Sequence, residues 1–263
     1  MTGKRAAQSV RARVGADAVV AALTLCILIF VIFEGLQHRQ SSAPVWPSHP
    51  PANIAPVPDF SSACYPHNME PRCVAQIIRA TDRARANEGL RPMVLPTDFV
   101  ALAPPEQIFV HTDIERVDRG LPAIVGISES LSIFAQAGAR ADADPELRAV
   151  PQGDTIVNWG SIWAADSNPL ASNYDWMYKD GIDGPNVDCT LVRRTACWGH
   201  RNDILGICPT TETCGGTLVS GTAEAEGTGI AGWTSDAELL VVVQGPLPRL
   251  TYTWDQAVAS GAK

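Results

Sequence analysis

The sequence predicts an α+β domain behind a single transmembrane helix, and three observations carry that prediction. Two stretches near the middle of the chain, 104–117 and 128–141, repeat apolar residues at helical spacing. Two apolar runs, 215–220 and 239–243, lie among glycines and threonines and read as strands. Ahead of everything stands an apolar segment with four basic residues on its amino-terminal side against Arg39 alone beyond it.

That first segment is the most uniform. Lys4, Arg5, Arg11 and Arg13 precede an apolar run over 18–33 bracketed by Asp17 and Glu34. From Val14 to Leu36 it spans roughly 34 Å as a helix, enough to cross the hydrocarbon core of a bilayer. The charge bias keeps residues 1–13 cytoplasmic and exports everything after Leu36. A cleavable signal peptide is the alternative, with Ser41-Ser42-Ala43 as its nearest small-residue site. Residues 40–60 hold Pro44, Pro47, Pro50, Pro51, Pro56 and Pro58 and read as a semi-extended spacer.

Cysteine usage agrees with export. Cys26 lies within the apolar run, and the other six lie beyond it: Cys64, Cys73, Cys189, Cys197, Cys208 and Cys214. An even number in an exported region suits an oxidising compartment, and the absence of a Cys-x-x-Cys spacing excludes zinc ribbons and thioredoxin-like motifs. Pairing sequence neighbours gives Cys64 with Cys73, Cys189 with Cys197, and Cys208 with Cys214; buried free thiols are the alternative. Of the chain's 20 basic and 28 acidic residues, 15 and 26 fall after position 39, leaving a formal charge of −11 there. Such a surface repels phosphate backbones, so nucleic acid is excluded as a partner.

Within the exported part, 61–103 reads as an extension with a helix over 74–87 stopped by Gly89. It contains an internal echo. Gln76, Ile77, Thr81, Asp82, Arg85, Gly89, Leu90 and Val94 recur 31 residues later as Gln107, Ile108, Thr112, Asp113, Arg116, Gly120, Leu121 and Val125. Two copies are too few for a solenoid, which leaves a short duplication or a convergence of two helix ends. Pro104-Pro105-Glu106 then opens a helix carrying Ile108, Phe109, Ile114 and Val117. Ser128 caps a second helix over 128–141, residues 142–153 form a loop, and 174–178 suggest a further short helix. The two strands follow, joined as a hairpin that ends the domain, and 249–263 form a tail.

Two segments resemble a known family. Tyr174-Asp175-Trp176-Met177 and, further on, Gly199-His200-Arg201-Asn202-Asp203-Ile204-Leu205 are similar to the "Trp-Met … Gly-His-Arg-x-Asn-Ile-Leu" signature of the bacterial CAP superfamily. This is the domain shared by cysteine-rich secretory proteins, antigen 5 and pathogenesis-related 1. Asp113-x-x-Arg116-x-x-x-Gly120-Leu121 resembles the family's first-helix pattern "Asn-x-x-Arg-x-x-x-Gly", with Asp in place of Asn. The resemblance implies an α-β-α sandwich over 104–248. It also implies a cleft of two histidines and two acidic residues, which in many members can hold a divalent metal. Here His200 matches one histidine, but the other falls on Gly138 and a glutamate falls on Ser161, while the second acidic position cannot be placed. Asp203 stands where the family has Asn, with Asn202 before it.

With one imidazole left, no metal and no cofactor are expected. His200 is either structural or lines a ligand cleft. Ser161, Trp163, Trp176 and Trp198 are the other cleft candidates, and with Trp159 the indoles concentrate in this part of the chain. They equally suit the core of a sandwich. Ser128, in Gly126-Ile127-Ser128-Glu129-Ser130, reads as a helix cap and not as a nucleophile elbow. A Ser161–His200–Asp203 triad is conceivable only on geometry. The oxygen-rich stretch 180–188 suits turns better than calcium. No catalytic residue is assigned. The function expected is binding of a lipid, peptide or envelope component outside the membrane; the alternatives are a hydrolase using His200 with a serine or acidic partner, and a structural envelope protein.

Overall fold

The computed structural model describes residues 53, 60–65, 69–148, 155–186, 189, 197–227 and 233–263. The membrane segment expected over 14–36 lies outside them, and no helix among the described residues is long and apolar enough to cross a membrane.

The described chain is mixed α+β, with one five-stranded sheet and eight α-helices. In order these are α1 (Ser61–Cys64), α2 (Pro71–Asn87), a 3-10 turn (Phe99–Ala101), α3 (Pro104–Val117), β1 (Gly126–Ser128), α4 (Glu129–Ala141), β2 (Thr155–Asp166), α5 (Pro169–Tyr178), α6 (Gly199–Gly206), α7 (Thr211–Cys214), β3 (Thr217–Glu226), β4 (Thr234–Gln244), β5 (Leu250–Thr253) and α8 (Trp254–Ala259). The strand order is β2-β4-β3-β1-β5, antiparallel throughout except for the parallel β1–β3 pair.

Helices cover both faces of the sheet, and the period-two alternation of β4 sorts its residues between them. Leu239, Val241 and Val243 cluster with Leu131 of α4, and Ala237 with Ala135 and Ala139. The alternate residues Leu240 and Val242 join the main core with Ile108 and Ile114 of α3 and Tyr174 and Met177 of α5. Gly221 lets α4 approach β3, since a Cβ there would sit 2.4 Å from the Leu131 carbonyl carbon.

The helix starts follow local chemistry. The Ser128 hydroxyl accepts from Leu131 N at 3.4 Å, the cap expected of it. Asn168 accepts from Leu170 and Ala171 ahead of α5, with Pro169 in the first turn. Glu106 reaches back to Ala103 N at 3.0 Å below the paired prolines of α3. The neighbour pairing of cysteines is present as three disulfides, Cys64–Cys73, Cys189–Cys197 and Cys208–Cys214.

The 31-residue echo is a repeated structure. Asp82 accepts from Met93 N and Asp113 from Ile124 N, each at 2.8 Å across eleven residues. Arg85 Nε donates to Arg91 O at 3.0 Å, and Arg116 Nε to Pro122 O at 3.1 Å. Leu90 N and Leu121 N return to the arginine carbonyls at 3.0 and 3.1 Å. Gly89 and Gly120 both have φ of 75°, the left-handed conformation that glycine enters without a Cβ penalty.

The remaining donors of the two arginines diverge. Arg116 reaches the end of α6, bonding Ile204 O, Ile207 O (2.9 Å) and Cys208 O (3.1 Å). Arg85 enters a buried ionic network, pairing with Glu115 at 2.8 Å and with Asp118. Glu115 also takes Arg119 and the Tyr178 hydroxyl (3.0 Å). Glu88 takes Arg119 at 2.7 Å and Arg201 of α6 at 2.6 Å. Burial alone would raise the Glu115 carboxyl, but Arg119 and Arg85 hold it down at about 2.

Several elements depart from the sequence reading. β2 is absent from it because this edge strand shows no clean alternation: residues around Val157 and Trp159 are exposed, and a register shift falls between Ile156 and Asn158. α5 begins at Pro169, not Tyr174. Gly199–Gly206 is a helix, an element that the sequence reading does not place. The 249–263 tail is instead β5 and α8, pinned where Thr97 N donates to Ser260 O at 3.0 Å and Lys263 N to Val94 O. The spacer, too, ends in contact with the fold. Asn53 accepts from Gly181 N at 3.0 Å, and Phe60 is buried edge-on against Tyr174.

Removing one charge from the network isolates its partners. Arg119→Met should destabilise the protein by about 3–5 kcal/mol, because Glu88 and Glu115 stay buried with less compensation. Chemical denaturation measures it; a change below about 1 kcal/mol would show that the network is solvated.

Candidate functional site

His200 sits in the first turn of α6, and the backbone before it is set by Asp180. Trp198 has φ of 65°, donates its N–H to Asp180 O at 2.8 Å and accepts from Asn202 N. Asp180, 1% exposed, uses its carboxylate three ways. Oδ1 accepts from His200 Nδ1 at 2.9 Å and from Asn186 Nδ2 at 2.6 Å; Oδ2 accepts from Arg201 N at 3.2 Å. The second ring nitrogen, Nε2, lies 3.4 Å from Asp144 Oδ1, on the loop after α4.

Both imidazole nitrogens thus face carboxylates. Burial alone would lower the His200 pKa, but hydrogen bonds to Asp144 and Asp180 raise it to about 10. At neutral pH the ring is an imidazolium, with Nδ1 on Asp180 and Nε2 in ion-pair reach of Asp144. It has no lone pair for a metal or for taking a proton.

A cavity of about 260 Å³ opens beside it. Trp163, Trp176 and Trp233 supply indole walls, and Asp144, Asp175 and Asp180 supply carboxylates. Ala164 and Ala165 of β2 and Pro185 and Asn186 complete the lining with His200. The Trp163 ring is held by its Nε1 donating to Ser235 Oγ at 2.6 Å. Asp175, paired with Lys179 at 2.5 Å, is pushed up to about 7 by burial against that partner's opposition. Asp203 is likewise raised by burial to about 6, with His200 opposing.

Three of the five cleft candidates therefore line one cavity: His200, Trp163 and Trp176. The other two do not line it. Ser161 is on β2 opposite Leu239, and its backbone N–H donates to Asp203 Oδ2 at 3.2 Å. Trp198 packs its ring against Gly181, where a Cβ would come within 2.4 Å of it. Trp159 is 44% exposed on the edge strand. The Ser161–His200–Asp203 triad is not assembled: Asp203 serves a backbone amide, and the histidine serves two other aspartates. Gly138 lies under the loop after α4, where a Cβ would meet Ala143 O at 2.8 Å, so no larger side chain fits there. Stretch 180–188 is a turn as far as residue 186, with Asp180 and Asn186 bonded to each other; Val187 and Asp188 lie outside the described residues.

Asp144, Asp175 and Trp233 were not singled out as site residues by sequence reasoning. Asp175 stands one position before Trp176 in the signature, a signal that was available. Asp144 sits among loop residues with nothing to distinguish it, and Trp233 lies beyond a glycine-rich stretch. No group of His, Cys, Asp and Glu among the described residues has the arrangement to hold a metal ion.

Two outcomes follow. The folded pKa of His200 lies above the unfolded value, so its contribution is complete below about 6.5 and is lost as pH rises toward 10. The stability advantage of the wild type over His200→Gln should therefore be full at about pH 6 and shrink steadily between about pH 7 and 10, read by urea denaturation across that range; an advantage that grows with pH would refute the charged bridge. Zinc should bind no more tightly than to an exposed histidine, and titration calorimetry finding one tight site would overturn the assignment of both ring nitrogens.

No protein-family model matches the chain, no curated protein matches it, and no solved structure matches it.

Proposed function

We propose that this is an exported, membrane-anchored protein of the CAP type that binds a cell-envelope ligand in the cavity beside His200. The fold reading rests on the Trp176-Met177 and Gly199-His200-Arg201 segments, together with a sheet covered by helices on both faces. Export rests on the three disulfides and on the basic-then-apolar amino terminus.

The observation that carries the binding reading is the indole-walled cavity whose histidine is committed to two carboxylates. A concave site of apolar walls and a few convergent polar groups is the usual form of a ligand pocket. The cavity also argues against a purely structural role, which would need no cleft open to a ligand.

One observation favours the hydrolase alternative. Asp180 holds His200 Nδ1 at 2.9 Å, the acid–histidine half of a triad. Its other half is not formed, since Nε2 faces Asp144 and not a hydroxyl. An imidazolium that keeps its proton to about pH 10 is also no base at neutral pH.

The test uses the full chain in detergent micelles, incubated with washed cell-envelope material. Binding should saturate, release no soluble products, and fall at least about ten-fold in Ala165→Trp, which fills the cavity. Binding unaffected by that substitution would remove the cavity from the function, and product release dependent on His200 would replace binding with hydrolysis.

A further inference from the structure

We infer that the cavity takes a saccharide ring, held by stacking on indole and by hydroxyl hydrogen bonds to carboxylates and an indole N–H. The inference deepens the binding reading above and rests on it.

Size comes first. At about 260 Å³ the cavity falls just below the roughly 300–1,000 Å³ usual for drug-sized ligands, so its occupant is a single ring or a short chain. The walls come next. Three indoles line the cavity, and Trp163 is held by its bond to Ser235. The C–H face of a pyranose matches such a surface.

The polar groups then discriminate. Asp144, with a side chain 39% exposed, and Asp175 offer acceptor oxygens to the cavity, while Asp180 has most of its capacity taken by His200, Asn186 and Arg201. On the donor side, the Nε1–H of Trp176 is buried without a partner among the described residues, on a side chain 1% exposed. A buried unpaired N–H is costly, so it points to an acceptor supplied from outside the fold.

Each alternative ligand satisfies only part of this. An acyl chain would cover the carboxylates and leave the Trp176 N–H unpaired. An anion would meet three aspartates. An ammonium would pair with the aspartates but offer the N–H nothing. A hydroxyl both donates and accepts, so a polyol ring serves the carboxylates and the indole together.

The test takes the full chain in polyoxyethylene micelles, which carry no sugar headgroup. Ligand-observed saturation-transfer NMR is run with methyl glucoside and N-acetylglucosamine, and with octanoate and tetramethylammonium as competitors of other chemistry. At least one sugar should receive saturation on its ring protons, displaced by neither competitor. Trp176→Phe keeps the ring and removes the donor, and should weaken the sugar about five-fold. Trp163→Ala should abolish the signal, with Trp233→Ala as the second variant if Trp163→Ala fails to keep the wild-type circular dichroism. Octanoate or tetramethylammonium binding in a Trp163-dependent way, with no sugar signal, would overturn the saccharide class and leave the cavity a binding site. No Trp163-dependent signal from any of the four probes would overturn the saccharide class and count against the binding reading as well.

Discussion

The structure depends on buried guanidinium groups that hold helices together where apolar contact alone would not fix their relative positions. Arg85, Arg119 and Arg201 share Glu88 and Glu115 at the meeting point of α2, α3, α5 and α6. Each carboxylate accepts from more than one cation, so the desolvation of the charges is offset several times within a small volume. Arg201 also donates to Met177 O at 2.6 Å, and Arg116 holds the far end of α6 by three carbonyls. The short helix that carries His200 is therefore clamped at both ends by arginines that never touch the cavity. A planar, permanently charged fork suits this task, since it can reach several oxygens without risk of deprotonation.

The two copies of the Asp-x-x-Arg-x-x-x-Gly unit build that clamp in series. Each unit closes its own helix with an aspartate bonded eleven residues on, an arginine bonded six residues on, and a glycine at positive φ. What differs is the destination of the spare N–H groups. The first copy grips the second, and the second grips α6. In this sense the extension ahead of α3 continues the same helical layer and shares its core, with Cys73, Ile77 and Ala84 packed in the main cluster.

How much of this was legible follows a physical rule. Helices with strong ends were readable: the prolines and Glu106 of α3, the Ser128 cap of α4 and the Gly89 stop of α2 are local signals that tertiary contacts did not override. The disulfides were readable because their cysteines are sequence neighbours. β2 was not, because it lies at the sheet edge with mixed exposure, and its Gly160 answers to the approach of Asp203 and not to a turn. The site was legible at two signature residues and at one further indole. His200, Trp163 and Trp176 converge on one cavity, but one of the two carboxylates that change the chemistry of His200 is Asp144, 56 positions earlier in the chain. A contact across that distance leaves no trace in composition or periodicity.

The last consequence is mechanical. The amino-terminal chain meets the fold through Asn53 on Gly181 and Phe60 against Tyr174 and Lys179. Any pull along that chain therefore arrives beside α5, the helix that also supplies Asp175 and Trp176. Peeling past Phe60 brings the load to Cys64, whose covalent link to Cys73 passes it directly into the first turn of α2. The staple shunts tension around residues 65–72 and delivers it to a helix braced by Arg85. The fold meets a pull on its amino-terminal chain with a covalent bond and an ion pair in line, not with the wall of the cavity.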